Sequence, residues 1–238
     1  MKTIPQSSIE NHLLALLPDA DFELLAPKLH WIDLKVRNVL YGSNQEIEYA
    51  YFPTAGICSV IAENAAGVRS ETGVVGKEGF IGIAIVLFAG SAPSHVIVQM
   101  AGRALRIRKS HLQNAMTECP ALQAILLRFI HVFTVQASQT AIANGHNTIT
   151  QRLARWMLMC QDRADAPEFT MTHEFLAVML AVRRSGVTEA LNDLEGRNMI
   201  RATRGRIVIL NRTGLLAIAG GAYGVPEKEY QRLLDRAK

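Results

Sequence analysis

The chain is poor in the features that would make it a disulfide scaffold, a metal protein or a membrane protein. Its 238 residues include three cysteines, Cys58, Cys119 and Cys160, scattered and with no C-x-x-C pair. An odd, sparse set argues against a disulfide framework and against the usual zinc and iron–sulfur ligand sets. Long apolar runs are also scarce. The longest, GFIGIAIVLFAG at 79–90, falls short of the roughly 18 residues of a membrane-spanning helix. The opening MKTIPQSSIENHLLALLP has one lysine and an apolar segment broken by Glu10 and Asn11. It does not read as a secretory leader, so a cytoplasmic protein is expected. Catalytic signatures are missing as well. There is no G-x-S-x-G, H-E-x-x-H or P-loop, and GVVGKEGFIG lacks the G-K-[ST] ending. No enzyme, metal or cofactor is expected.

What is present is a folding chain with an uneven charge. Hydrophobic residues make up 49% and charged residues 19%, enough apolar surface for a core. The net charge is +4. Residues 1–146 hold 11 Lys+Arg and 11 Asp+Glu, whereas residues 147–214 hold 10 Arg against 7 acids. Five arginines (197, 201, 204, 206 and 212) stand between 197 and 212 with no acid among them. Such a cluster is the footprint of a nucleic-acid surface or, more plainly, a solvated basic loop.

From Trp31 to Arg108 the text reads as short strands with turn residues about every 8 to 12 positions, the spacing of an antiparallel sandwich or barrel. WIDLKVRNVLYG, EYAYFPTAGICSVIAE, GVRSETGVVGKEG and HVIVQMAGRALRIR are the strand segments, and IENHLLALL before them is helical. Pro120 then opens a long helix with no glycine or proline before Gly145. One stripe on it runs through Leu122, Ile125, Phe129, Val132, Gln136, Gln139 and Ala143, and a second through Leu126, Ile130, Phe133, Ala137 and Thr140. Two stripes suggest two packing partners, the strand domain and a second subunit; burial inside a monomer is the alternative. A break is expected at 145–147, followed by the helix TQRLARWMLMCQDRA.

After Phe169, Thr172 is a candidate N-cap for a short helix presenting Phe175, Leu176 and Met179. A tight connection at 180–182 leads into a second helix from about Arg183 that buries Val187, Ala190, Leu191 and Leu194. At about 100° per residue, Ser185, Glu189 and Asn192 point away from that stripe, Thr188 lies at its side and Arg183 and Arg184 lead. NMIRA and RIVIL then alternate around TRG, a hairpin with Gly205 at its turn. Helix, helix and two-stranded wing make a winged helix-turn-helix. Its second helix suits the major groove, with Arg204 and Arg206 of the wing on phosphates. Gly186 has no sequence-level explanation.

At these residues the chain resembles the Crp/Fnr family of bacterial transcription regulators. TMTHEFLAVMLAVRRSGVTEALNDLEGRNMIRATRGRIVIL is similar to that family's DNA-binding domain, and EYAYFPTAGICSVI and VVGKEGFIG to its β-roll. The resemblance spans about residues 10 to 215. It implies an α+β fold: a cyclic-nucleotide-binding-like roll (1–118), a dimerisation helix and hinge (119–146), a winged helix (147–214) and a tail (215–238) expected to be a short helix. It further implies a homodimer on a two-fold symmetric double-stranded operator, working with RNA polymerase. The base-contacting triplet falls on Arg184, Ser185 and Glu189. Only Arg184 keeps the residue type of the best-known members. Thr172 falls on a backbone-phosphate position. In the effector pocket, the family's Gly-Glu and Arg-Ser anchors fall on Gly82-Ile83 and Pro93-Ser94, and a ligand-contacting long-helix position on Ser138. With both nucleotide anchors lost, a buried cyclic phosphate would lack a cation. The effector is therefore expected not to be cyclic AMP. The alternative reading is a ligand-binding module whose winged helix contacts protein.

Overall fold

The structure, a computed structural model, describes residues 4–164, 168–203 and 205–235. The chain opens with α1 (His12–Ala15) and α2 (Asp19–Leu25) and enters the roll through β1 (His30–Leu34), β2 (Val39–Tyr41), β3 (Tyr49–Glu63) and β4 (Arg69–Val75). The apolar run at 79–90 contributes the one-turn helix α3 (Ile83–Val86), and β5 (Ser94–Arg108) completes the sheet. The strand order is β1-β5-β3-β4, with β2 also on β5. All pairs are antiparallel. β3 and β5 pair from Tyr49↔Arg108 to Ala62↔Ser94 with register shifts between Pro53 and Cys58. An extra residue in one strand bends and twists a ladder, which lets two 15-residue strands curl around a core instead of lying flat.

α4 (Lys109–Glu118) leads into α5 (Pro120–His146), which has proline in its first turn. The break expected at 145–147 falls at Asn147, after α5 has run through Gly145 and His146. The first stripe of α5 packs inward: Leu122, Ile125, Phe129, Val132, Gln136 and Ala143 are buried. The second stripe is largely taken up inside the same chain. Leu126 is buried, Phe133 packs on the roll core, and the Thr140 hydroxyl accepts from Arg155. The open face lies one step around, at Leu127, Thr134, Ser138 and Ala141. α5 also has the length and hydropathy of a membrane span, a property that the count of consecutive apolar residues missed. Its buried stripe makes it a core helix here.

α6 (Ile149–Ala164) begins the C-terminal domain, followed by β6 (Glu168–Thr170), α7 (His173–Met179), α8 (Arg184–Gly196), β7 (Ile200–Thr203), β8 (Arg206–Ile209), α9 (Arg212–Ala219) and α10 (Val225–Tyr230). The sheet here is three-stranded, in the order β6-β8-β7. β6 therefore widens the expected two-stranded wing. Its partner lies some forty residues away (Glu168↔Val208), a distance that no local pattern reports.

The two domains share a core. Ile57, Ile61 and Val74 of the roll pack with Leu153, Met157, Leu176, Leu191 and Leu194. Polar ties reinforce this contact. Gln136 of α5 accepts from Val74 N–H at 2.7 Å. Trp156 of α6 donates to Glu71 of β4 at 3.1 Å, and Arg163 of α6 pairs with Glu78 at 2.7 Å. Glu71 is 3% exposed; burial pushes its carboxyl up to about 7, although Ser59, Trp156, Arg155 and Arg163 pull the other way. The tail folds back onto α5. Glu229 of α10 bonds His131 at 2.8 Å, and Leu234 joins the roll core. The three cysteines are buried, and burial pushes the Cys58 thiol up to about 12, which makes it a poor nucleophile.

Candidate nucleic-acid interface

The helix-turn-helix is built from local signals. Thr172 has extended backbone angles and its hydroxyl accepts from Phe175 N–H, the expected N-cap of α7. α7 ends on a paired closure, with Ala181 N–H on the Val178 carbonyl and Val182 N–H on the Ala177 carbonyl. Ala181 takes a left-handed φ of 47° to make it. α8 closes the same way, with Asn198 and Met199 bonding back to Glu195 and Leu194. Val187, Ala190, Leu191 and Leu194 are buried as the periodicity predicts. A Cβ at Gly186 would sit 2.8 Å from Ile149 Cδ1, so the start of α6 lies close to the leading turn of α8.

Three parts converge at one end of this domain. Arg183 is the N-cap of α8 and Arg184 its first residue; both are exposed, as are Ser185 and Glu189. The wing turn is tied beside them, because Met171 N–H donates to the Gly205 carbonyl directly before Thr172. Gly205 holds a φ of 82°, as a tight hairpin turn requires. His173 of α7 then bonds Thr188 of α8 at 3.0 Å. The wing turn, the start of α7 and the leading turns of α8 thus form one continuous edge. Thr188 differs from the expectation of a free contact: it is half-buried and its hydroxyl is engaged. Arg206 is exposed but ion-paired with Glu168 of β6. Arg204 lies outside the described residues.

The arginine-rich footprint needs correcting. Arg152, Arg155 and Arg163 of α6 are buried. Arg197 pairs with Asp193, Arg206 with Glu168 and Arg212 with Asp162. Arg183, Arg184 and Arg201 are the exposed arginines of 147–214 that, among the described residues, have no acid seated on them. The run of five arginines without an acid is therefore less basic on the surface than in the sequence, because Glu168 and Asp162 come from outside the run. The leading end of α8 carries the exposed charge.

A cavity of about 350 Å³ lies between α3, the start of β5 and α5. It brings together Gly82, Ile83, Pro93 and Ser94, with Tyr41, Ile130, Phe133 and Thr134 closing it. No lining residue is charged. Burial raises the Tyr41 phenol to about 12, and Ser94 hydrogen-bonds it. Ser138 lies outside the cavity; it is exposed and donates to the Thr134 carbonyl at 2.9 Å. Thr134, one turn earlier, holds the place expected for it. Nothing in the sequence around Tyr41 or Thr134 marked them as lining residues.

Residues 151–218 match the Crp-like helix-turn-helix domain family. No curated protein sequence matches the chain. Several solved structures are similar over most of its length. FixK2 from Bradyrhizobium japonicum is 17% identical, with a TM-score of 0.68 over 82% of this chain and 99% of that one. The c-di-GMP responsive global regulator CLP from Xanthomonas campestris is 14% identical, with a TM-score of 0.66 over 81% and 99%. A Crp/Fnr-family transcriptional regulator from Thermus thermophilus is 20% identical, with a TM-score of 0.64 over 80% and 98%. Residues 151–218 thus carry a Crp-like helix-turn-helix domain, and the chain shares its fold with these regulators from roll to wing.

Proposed function

We infer that the protein is a Crp/Fnr-type transcription regulator that binds a specific, two-fold symmetric DNA operator as a homodimer. The observation that carries this reading is the continuous edge at the wing turn, the Thr172 cap and the first turn of α8, where Arg183, Arg184 and Ser185 are exposed. Arginine makes bidentate contacts with guanine, and serine reaches bases or phosphates. The homodimer draws support from the open face of α5, where Leu127 is 46% exposed and Ser138 and Ala141 are small and solvent-facing. Work with RNA polymerase follows from the same reading. Selection from a random DNA library is the test. An inverted-repeat consensus is expected; enrichment of no sequence, or binding indifferent to salt, would sink the reading.

The effector of this reading is uncharged or apolar rather than a cyclic nucleotide, supported by the uncharged lining of the cavity. Burying a phosphate there would leave it without a cation. Calorimetry with cyclic AMP and cyclic GMP should give no micromolar binding, and such binding by either would overturn the assignment.

A further inference from the structure

The Thr188 hydroxyl stands in two hydrogen bonds at once. It donates to the Arg184 carbonyl at 3.2 Å and lies 3.0 Å from His173 Nδ1. A hydroxyl has one proton. With that proton on the Arg184 carbonyl, the imidazole must be the donor in the second bond. In that arrangement Nδ1 carries the hydrogen of the second bond. His173 is the first residue of α7 and Arg184 the first of α8. The relay from His173 through Thr188 to Arg184 joins the leading turns of the two helices.

The two leading turns are secured differently. α7 is capped from within by Thr172, whereas Arg183 gives α8 no side-chain cap. The first N–H groups of a helix have no partner inside it, so an uncapped first turn is the part of a helix most ready to fray. That turn carries Arg184 and Ser185. We propose that His173 is a positioning residue for DNA recognition: through Thr188 it holds the leading turn of α8 against α7 and so sets where Arg184 and Ser185 meet the base edges. This rests on the DNA-binding reading and adds to it a residue that touches no base.

Isosteres test it. The side-chain amide nitrogen of asparagine falls near the Nδ1 position, and that of glutamine near Nε2. His173→Asn and Thr188→Ser keep the relay; His173→Gln and Thr188→Val break it. On the selected operator, the breaking pair should lose about fivefold in affinity and the keeping pair no more than about twofold, the scale of one neutral hydrogen bond. Affinity for unrelated DNA should stay level, and Tm should fall by no more than about 4 °C. Equal loss on operator and unrelated DNA in every His173 variant would instead make His173 a direct phosphate contact, and full operator affinity in Thr188→Val would remove the relay; either overturns the proposal. A DNA-free arm separates this idea from the reading it rests on. Long-range proton–nitrogen NMR of the free protein should show a proton on His173 Nδ1. A proton on Nε2 and none on Nδ1 overturns the relay whether or not the protein binds DNA. If NMR finds Nδ1–H but no DNA is bound specifically, the regulator reading fails and takes the positioning role with it.

Discussion

α6 and α8 each carry an apolar stripe and several arginines, and they use them in opposite ways. Arg152, Arg155 and Arg163 of α6 are buried. Arg152 donates to the Leu180 carbonyl at the turn after α7. Arg155 reaches Thr140 of α5 at 3.2 Å, and Arg163 holds Glu78 and the Met159 carbonyl. Burial pulls the Arg163 guanidinium down, but Glu78 and Glu227 hold it above its ordinary value. At the start of α8, Arg183 and Arg184 remain in water. A buried cation persists only when its hydrogen bonds are filled by fixed partners, so the arginines of α6 work as struts. An exposed arginine at a helix start keeps its donors for a partner molecule. Position against the buried stripe, rather than the count of arginines, separates the buried struts from the exposed charge.

The largest test of that contrast is Arg163→Met. It leaves Glu78 without its cation and should cost about 3–5 kcal/mol in urea unfolding, the usual consequence of breaking a buried pair. Arg183→Ala should change stability by no more than about 0.5 kcal/mol, the scale of an exposed substitution. Equal losses would erase the distinction. Next in size is the pH dependence at the seat of α6. Glu71 holds its proton in the fold up to about 7, but an unfolded chain releases it near the ordinary value of 4.5. Between those values the native state binds the extra proton, so this group's contribution to stability falls as pH rises. The slope approaches about 1.4 kcal/mol per unit and levels off above the upper value. Denaturation curves across that range should show the slope, and Glu71→Gln should remove it. The smallest effect is at the turn that Arg152 grips. Ala181 holds a left-handed backbone, so Ala181→Gly should raise stability by up to about 1 kcal/mol. A loss there would mean that the methyl group matters more than the backbone.

The α7–α8 unit was legible in the sequence because its signals are local. Thr172 caps three residues ahead, and the stripe of Val187, Ala190, Leu191 and Leu194 needs only helical geometry. The strands of the roll were legible from alternation and turns. The misreadings all concern partners distant in the chain. β6 pairs with a strand some forty residues away. Arg206 meets Glu168, and Arg212 meets Asp162, each from outside the basic run. Thr188 looked like a contact to the outside until His173 was seen to occupy it. The uncharged cavity was half legible: Gly82, Ile83, Pro93 and Ser94 do converge, but Thr134 rather than Ser138 closes the wall. Periodicity fixes which face is inward; it does not name what the face touches.

The central claim is that the leading turn of α8 reads DNA and α6 only supports it. Fluorescence anisotropy of Arg184→Ala on the selected operator and on unrelated DNA tests it most directly. The account predicts that the ratio of the two affinities falls about tenfold or more, in line with the loss of one bidentate base contact, at an unchanged Tm. An unchanged ratio in a folded Arg184→Ala protein would contradict it.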